Sequence, residues 1–139
     1  MTIKISLADY ERIIAHATAV LPNEACGLMA GTVSDEVKTV KKVYLLTNID
    51  HSPEHFSIDP REQLAAVKDM RAQGLAPLGN FHSHPSTPAR PSQEDIRLAY
   101  DPFASYLILS LAGKQPVFKS FRVEKGVVAV EELEINSNE

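Results

Sequence analysis

Pro77-Leu78-Gly79-Asn80-Phe81-His82 leads straight into Ser83-His84-Pro85, and Ser92 and Asp95 follow after a proline-broken loop. The first six residues read as a strand that ends in a His-x-His. Side chains two apart on a strand share a face, so His82 and His84 can reach one ion while Ser83 points away. Pro85, Pro88 and Pro91 forbid regular structure and turn the chain back. Ser92-Gln93-Glu94-Asp95 then opens a helix predicted to run to about Tyr100. Ser92 and Asp95 make a capping box, which would hold the Asp95 carboxylate in a fixed orientation. Two imidazoles and a carboxylate are ligands that zinc accepts. Three protein ligands with water in the fourth position is how a catalytic zinc is usually built. Zinc brings the pKa of such a water to roughly 7. Taken singly, each residue has an ordinary reading: a histidine at a strand end hydrogen-bonds, and Ser-x-x-Asp caps a helix. Together they point to a metal, held by His82, His84 and Asp95.

The flanking segments supply the rest of one domain, residues 1–135, with 136–139 a polar tail. Leu7, Tyr10, Ile13, Ile14 and Ala17 recur at helical spacing and Pro22 marks a stop. Met1 to Lys4 is read as the approach to that helix. Cys26–Val33 and Val37–Leu46 read as strands, and Asn48–Ser57 as a polar loop. Asp59-Pro60-Arg61-Glu62 is a helix start with a capping box, Leu64, Val67 and Met70 its buried face and Gly74 its end. Tyr106–Leu111 is a strand buried on both faces. Val117–Val123 and Val127–Ile135 form a hairpin around Lys125-Gly126. The fold class is therefore α/β in the α+β sense, with a mixed, mostly antiparallel curved sheet flanked by helices.

Composition narrows the function. At 139 residues with 44% apolar and 23% charged, the chain can close a core without disulfides or a structural metal, so a metal here serves chemistry. A net charge of -4 gives no basic footprint for nucleic acid. No apolar run approaches a membrane span. A single cysteine, Cys26, excludes an internal disulfide. With no signal peptide at Met1-Thr2-Ile3-Lys4, a reducing cytoplasm is expected. Cys26 reads as a buried structural thiol. His16, His51 and His55 have no partner at ligand spacing and are left out of the metal set. Glu24 could serve as a base, but alone it reads rather as a solvated acid at a helix-to-strand junction. Arg90 sits beside the motif; its planar fork suits a substrate carboxylate or carbonyl, and it reads equally as a solvated loop charge.

The pattern His-x-His, seven residues, Ser, two residues, Asp resembles the JAMM motif of the MPN-plus metalloproteases. Pro22-Asn23-Glu24-Ala25-Cys26-Gly27-Leu28 with Gly31 is similar to that family's glutamate segment. Gly79 to Pro85 is similar to its metal strand, and Pro91 to Asp95 to its helix start. The resemblance spans the first helix to about Leu111. It implies an MPN-like, cytidine-deaminase-like domain. It implies that His82, His84 and Asp95 bind zinc, that Glu24 is general base and then general acid, and that Ser92 hydrogen-bonds the oxyanion. It further implies cleavage after the terminal Gly-Gly of a ubiquitin-like protein. The short form of the chain looks most like prokaryotic members acting on sulfur-carrier proteins. Such a tail could add as an edge strand, with Asp50 to Ile58 one wall of its channel. Two other readings are a zinc peptidase or amidase on small peptides or amino-acid conjugates, and a non-catalytic MPN scaffold. The intact ligand set counts against the scaffold.

Overall fold

The computed structural model describes residues 1–137. The elements run β1 (Thr2–Ser6), α1 (Leu7–Ala19), β2 (Cys26–Ser34), β3 (Val37–Leu46), α2 (Pro60–Ala72), β4 (Ala76–His84), α3 (Gln93–Arg97), β5 (Ser105–Ser110), β6 (Val117–Glu124) and β7 (Val127–Asn136). Asn136 thus ends the last strand, and the remainder of the expected polar tail, Asn138 and Glu139, lies outside the described residues.

The mixed α+β class and the predominance of antiparallel pairing hold, but the sheet is not an open curve. Its strands close into a barrel in the order β1-β3-β2-β4-β5-β6-β7. Closure depends on β1, a strand where the sequence suggested only an approach to the first helix. Ile3 and Ile5 alternate with Thr2, Lys4 and Ser6, and β1 pairs in parallel with both β3 and β7. A five-residue strand has little signal of its own; its partners, far away in sequence, make it one. The closed ring also removes the sheet edge on which a substrate tail was expected to add.

Inside the ring, Ile3, Ile5, Met29, Val43, Phe81, Leu107 and Leu109 form one apolar cluster with Ile13 and Ala17 of α1. Burying each such aliphatic or aromatic side chain contributes about 1.5–3 kcal/mol, so this cluster dominates the stability. Ser6 caps α1 by accepting from the Asp9 N–H at 3.1 Å. A buried polar suture runs across the strands. Lys38 Nζ donates to Ser105 Oγ at 2.8 Å, and both Ser105 and Ser120 donate to Glu131 Oε1.

Two details of the helices differ from expectation. On α2 the buried stripe is Ala66 and Met70, lying against Leu28, Ala30 and Tyr44; Leu64 and Val67 are exposed. Only a narrow stripe faces the sheet, and small Ala66 lets the helix sit close. Glu62 does not close a capping box; the backbone N–H and hydroxyl of Thr47 donate to its carboxylate at 2.7 and 2.8 Å. Tyr44 and Lys42 likewise donate to Asp69, so two carboxylates pin α2 to β3. α3 is one short turn of helix ending at Arg97, not Tyr100.

Gly27 is required by close approach. A Cβ there would overlap the Phe81 ring and the Tyr44 carbonyl. Gly27→Ala should therefore destabilise the fold by about 1–3 kcal/mol. Denaturant unfolding checks this; an unchanged midpoint would mean that the β2–β3–β4 contact is looser than described.

Candidate metal centre

β4 is paired on both sides, with His82 opposite Cys26 on β2 and Ile108 on β5. That double pairing fixes its alternation. Phe81 points into the barrel, while His82 and His84 face outward under the loop that follows. The loop is firmly seated. Ala89 packs with Ile108 and Phe121, Ser110 Oγ donates to the Thr87 carbonyl at 2.6 Å, and His84 Nδ1 donates to the Pro88 carbonyl at 2.9 Å. Ser92 then caps α3, its Oγ accepting the Asp95 N–H while the Ser92 N–H donates to Asp95 Oδ2. The capping box expected from the sequence is present.

These elements bring His82, His84 and Asp95 together. His82 Nε2 lies 3.1 Å from His84 Nε2 and 3.1 Å from Asp95 Oδ2; His84 Nε2 lies 3.3 Å from the same oxygen. Ligands bound about 2.0–2.1 Å from one tetrahedral ion stand roughly 3.3 Å apart, so the trio is already spaced for a cation. The donor set, two imidazoles and a carboxylate, suits zinc. The Pro88 hydrogen bond places the His84 proton on Nδ1 and leaves Nε2 for the ion. His82 Nδ1 has no hydrogen-bond partner among the described residues; its ring stacks on Phe56, centroids 4.7 Å apart.

Electrostatics follow from this crowding. Burial opposes ionisation of Asp95, but hydrogen bonds from His82, His84 and the Ser92 N–H overcome it and hold the carboxylate well below its usual range. Burial alone would lower His84; Asp95 and the Pro88 carbonyl outweigh it and raise it above 6.5. Glu24 is buried, and its Oε1 has no hydrogen-bond partner among the described residues. Burial pushes its carboxyl up to about 8, His84 pulls it down, and Asp95, Glu94 and Glu54 push it up further. Glu24 is thus no solvated acid, and it lies within the field of the cluster.

Three positioning residues were not legible in the sequence. Ser83, the middle of the His-x-His, is buried and faces β2: its Oγ accepts the Ala25 N–H at 2.8 Å, and its own N–H donates to the Ala25 carbonyl. It ties the Glu24 segment to the histidine strand. Asn48 organises the neighbouring loop. Its amide donates to the carbonyls of Glu24 and His55, and its Oδ1 accepts from the Asp50 and Ser57 N–H groups. Phe56, carried by that loop, is the ring that stacks on His82. Ser83 sits inside the histidine strand and Asn48 and Phe56 in a polar loop, and no spacing in the sequence ties any of them to the site.

The remaining candidates fall elsewhere. His16 reaches the Leu46 carbonyl at 3.1 Å, and His55 pairs with Asp50. Cys26 is buried, with its thiol pushed up to about 12 by burial. Arg90 is exposed on the loop and does not line the adjacent cleft. That cleft, 420 Å³, is bordered by His82, Asp95, Phe56, Ile58, Leu98 and Tyr100 among others. Asp50 to Ile58 therefore does supply part of one wall. Glu24 borders a separate hollow of 270 Å³ with Asn48 and His16.

Comparison with known proteins relates the whole domain to others. A family model for prokaryotic homologs of the JAB domain matches residues 7–124. The CysO-cysteine peptidase of Mycobacterium tuberculosis is 32% identical over 124 residues, 88% of this chain and 84% of that protein. A probable TtuB-protein conjugate cleaving protease of Thermus thermophilus is 38% identical over 90 residues, 64% of this chain and 57% of that one. A Desulfitobacterium hafniense protein of solved solution structure superposes with a TM-score of 0.90 at 55% identity, covering 98% of this chain and 94% of the other.

Because His84 and Glu24 hold protons above their ordinary ranges, zinc uptake by metal-free protein should release protons. Apparent affinity should rise as pH climbs towards about 8. Calorimetry in two buffers of different ionisation enthalpy measures the proton release. His84→Ala should abolish uptake with the far-UV spectrum intact. Binding that is proton-neutral and indifferent to pH would show that other groups hold the ion.

Proposed function

The chain belongs to the prokaryotic JAB family, and on that premise we propose that it is a zinc-dependent hydrolase. Its reaction is cleavage of the peptide or isopeptide bond after the C-terminal Gly-Gly of a ubiquitin-like or sulfur-carrier protein. The observation that carries the reading is the convergence of His82, His84 and Asp95 on one point, with the buried Glu24 carboxyl in their field.

Those three residues would hold zinc, which when bound would supply Lewis acidity towards a scissile carbonyl and a water. Glu24 takes the proton of the attacking water and afterwards delivers it to the leaving amine. A carboxyl lifted to about 8 by burial is matched to that double duty near neutral pH. Ser92 Oγ already accepts the Asp95 N–H, so its own proton is free to be donated to the oxyanion. Such a donor is worth about 3 kcal/mol of barrier. Ser83 and Asn48 hold the Glu24 backbone from two sides. Arg90, exposed at the loop, contributes a cation that the carrier surface can meet.

The protein substrate is supported by the names of two relatives, one for CysO-cysteine and one for TtuB–protein conjugates. A cleft of 420 Å³ beside the ligands leaves room for the residues of a carrier tail next to the scissile bond. Glycine at the scissile position lets backbone pass close to the metal without distortion. A cytoplasmic setting is in keeping with a chain in which no described helix is long and apolar enough to cross a membrane.

Glu24→Gln should retain zinc and lose turnover by about a thousandfold. Ser92→Ala should retain zinc with a loss of about a hundredfold. Intact-mass assays on a carrier ending in Gly-Gly-Cys, beside one ending in Ala-Ala-Cys, read both variants and the tail preference. Equal cleavage of the two carriers removes the preference. No cleavage of several Gly-Gly carriers by the zinc-loaded protein removes the substrate assignment.

A further inference from the structure

We propose that the outward stripe of α2, formed by Arg61, Leu64, Lys68 and Arg71, docks the folded body of the carrier protein, and that the carrier meets it with an acidic face. The inference rests on the hydrolase reading above and adds the surface chemistry of the partner.

The four residues recur at three- and four-residue spacing, which sets them along one side of the helix. That side is turned away from Ala66 and Met70, the residues that seat α2 on the sheet. Arg61, Lys68 and Arg71 are exposed. Among the described residues, none of their side chains forms an ion pair. The acids of the same helix are engaged elsewhere. Glu62 accepts from Thr47, and Asp69 accepts from Lys42 and Tyr44, all on or beside β3. The helix therefore segregates its charge, with carboxylates towards β3 and cations towards solvent. In a chain of net charge -4, a face of one sign and the opposite sense attracts a partner of complementary charge. Leu64, 55% exposed between the cations, adds apolar contact area to that attraction.

This face stands beside the metal centre. Gln63, next to Leu64 in the helix, lines the 420 Å³ cleft together with His82 and Asp95. Another segment lining that cleft carries Glu94, Asp95, Leu98 and Tyr100, and its Arg97 is paired with Glu94 at 3.4 Å. An acidic carrier body is repelled there and drawn to α2. Charge thus decides on which side of the cleft the body sits while its tail reaches the metal ligands. Three cations on one stripe fall short of the basic clusters that hold a membrane surface or a nucleic acid.

The test uses the full chain, several acidic ubiquitin-like carriers ending in Gly-Gly-Cys, the same carriers with their surface carboxylates changed to amides, and a short peptide ending in Gly-Gly-Cys. The variant is Arg61→Glu/Lys68→Glu/Arg71→Glu, with Arg61→Lys/Arg71→Lys as the conservative control. Turnover is measured on zinc-loaded protein. Dissociation constants are measured on metal-free protein with carriers ending in Gly-Gly. Charge reversal should weaken binding of acidic carriers and raise their KM about thirtyfold, with kcat, peptide turnover and zinc uptake within about twofold of wild type. The conservative control should stay within about threefold. Amidated carriers should bind wild type about tenfold more weakly than acidic ones and should not distinguish it from the reversal variant. In roughly 0.5 M salt the preference for acidic carriers should fall to about threefold or less. If the reversal variant does not fold, Arg61→Gln/Lys68→Gln/Arg71→Gln takes its place. Unchanged carrier binding in the variant, equal loss on carrier and peptide, or stronger binding of wild type to phosphatidylserine vesicles than to any carrier would each overturn the inference and leave the hydrolase standing. A wild-type protein that neither binds nor cleaves any Gly-Gly carrier would remove the functional reading, and this inference with it.

Discussion

Hydrogen bonds along both edges of β4 fix the direction in which each of its side chains faces. Phe81 is driven into the barrel, where Gly27 leaves room for its ring. Asn80, His82 and His84 are turned outward by the same alternation, onto the floor of the cleft. A slip of one residue would exchange the two sets, burying imidazoles and exposing a phenyl ring. Core and site are therefore specified by one register, and the apolar packing of Phe81 with Leu107 and Leu109 is what keeps the histidines aimed.

Asp95 concentrates the second constraint. A single oxygen, Oδ2, meets both imidazole nitrogens and the Ser92 N–H. The capping box is thus also the device that orients the third candidate ligand. α3 buries no residue and is only five long, so its place comes from this oxygen and from the seated loop before it. Glu24 lies in the field of this cluster. Its Oε1 is buried with no partner among the described residues, while Asn48 and Ser52 hold its own backbone and Ser83 holds that of Ala25. Burial that would be a cost in a structural acid is here what lifts its proton affinity.

The centre was readable because its spacing is local: His82, His84, Ser92 and Asp95 fall within one strand, loop and helix start, and their types are unusual together. The hairpin at Lys125-Gly126 was readable for a similar reason, since both residues adopt the positive φ that a tight hairpin turn requires. What escaped was set by distant partners. Thr2–Ser6 became a strand only between β3 and β7. Leu64 and Val67 looked like the buried face of α2, but the sheet beneath meets the helix along Ala66 and Met70, leaving Val67 to line a hollow of 290 Å³. Asn48 and Ser83 carried no signal beyond being polar, and their importance lies in groups that approach from other parts of the chain.

The seam of the barrel has a consequence for how the molecule comes into being. β1 spans 2–6, yet it is held between β3 and β7, and β7 spans 127–136. The ring cannot close until these distant segments meet, so Ile3 and Ile5 keep one flank open until the β6–β7 hairpin docks. Contacts that separated in sequence are slow to form. An intermediate without that contact would expose the inner face of the sheet along the seam.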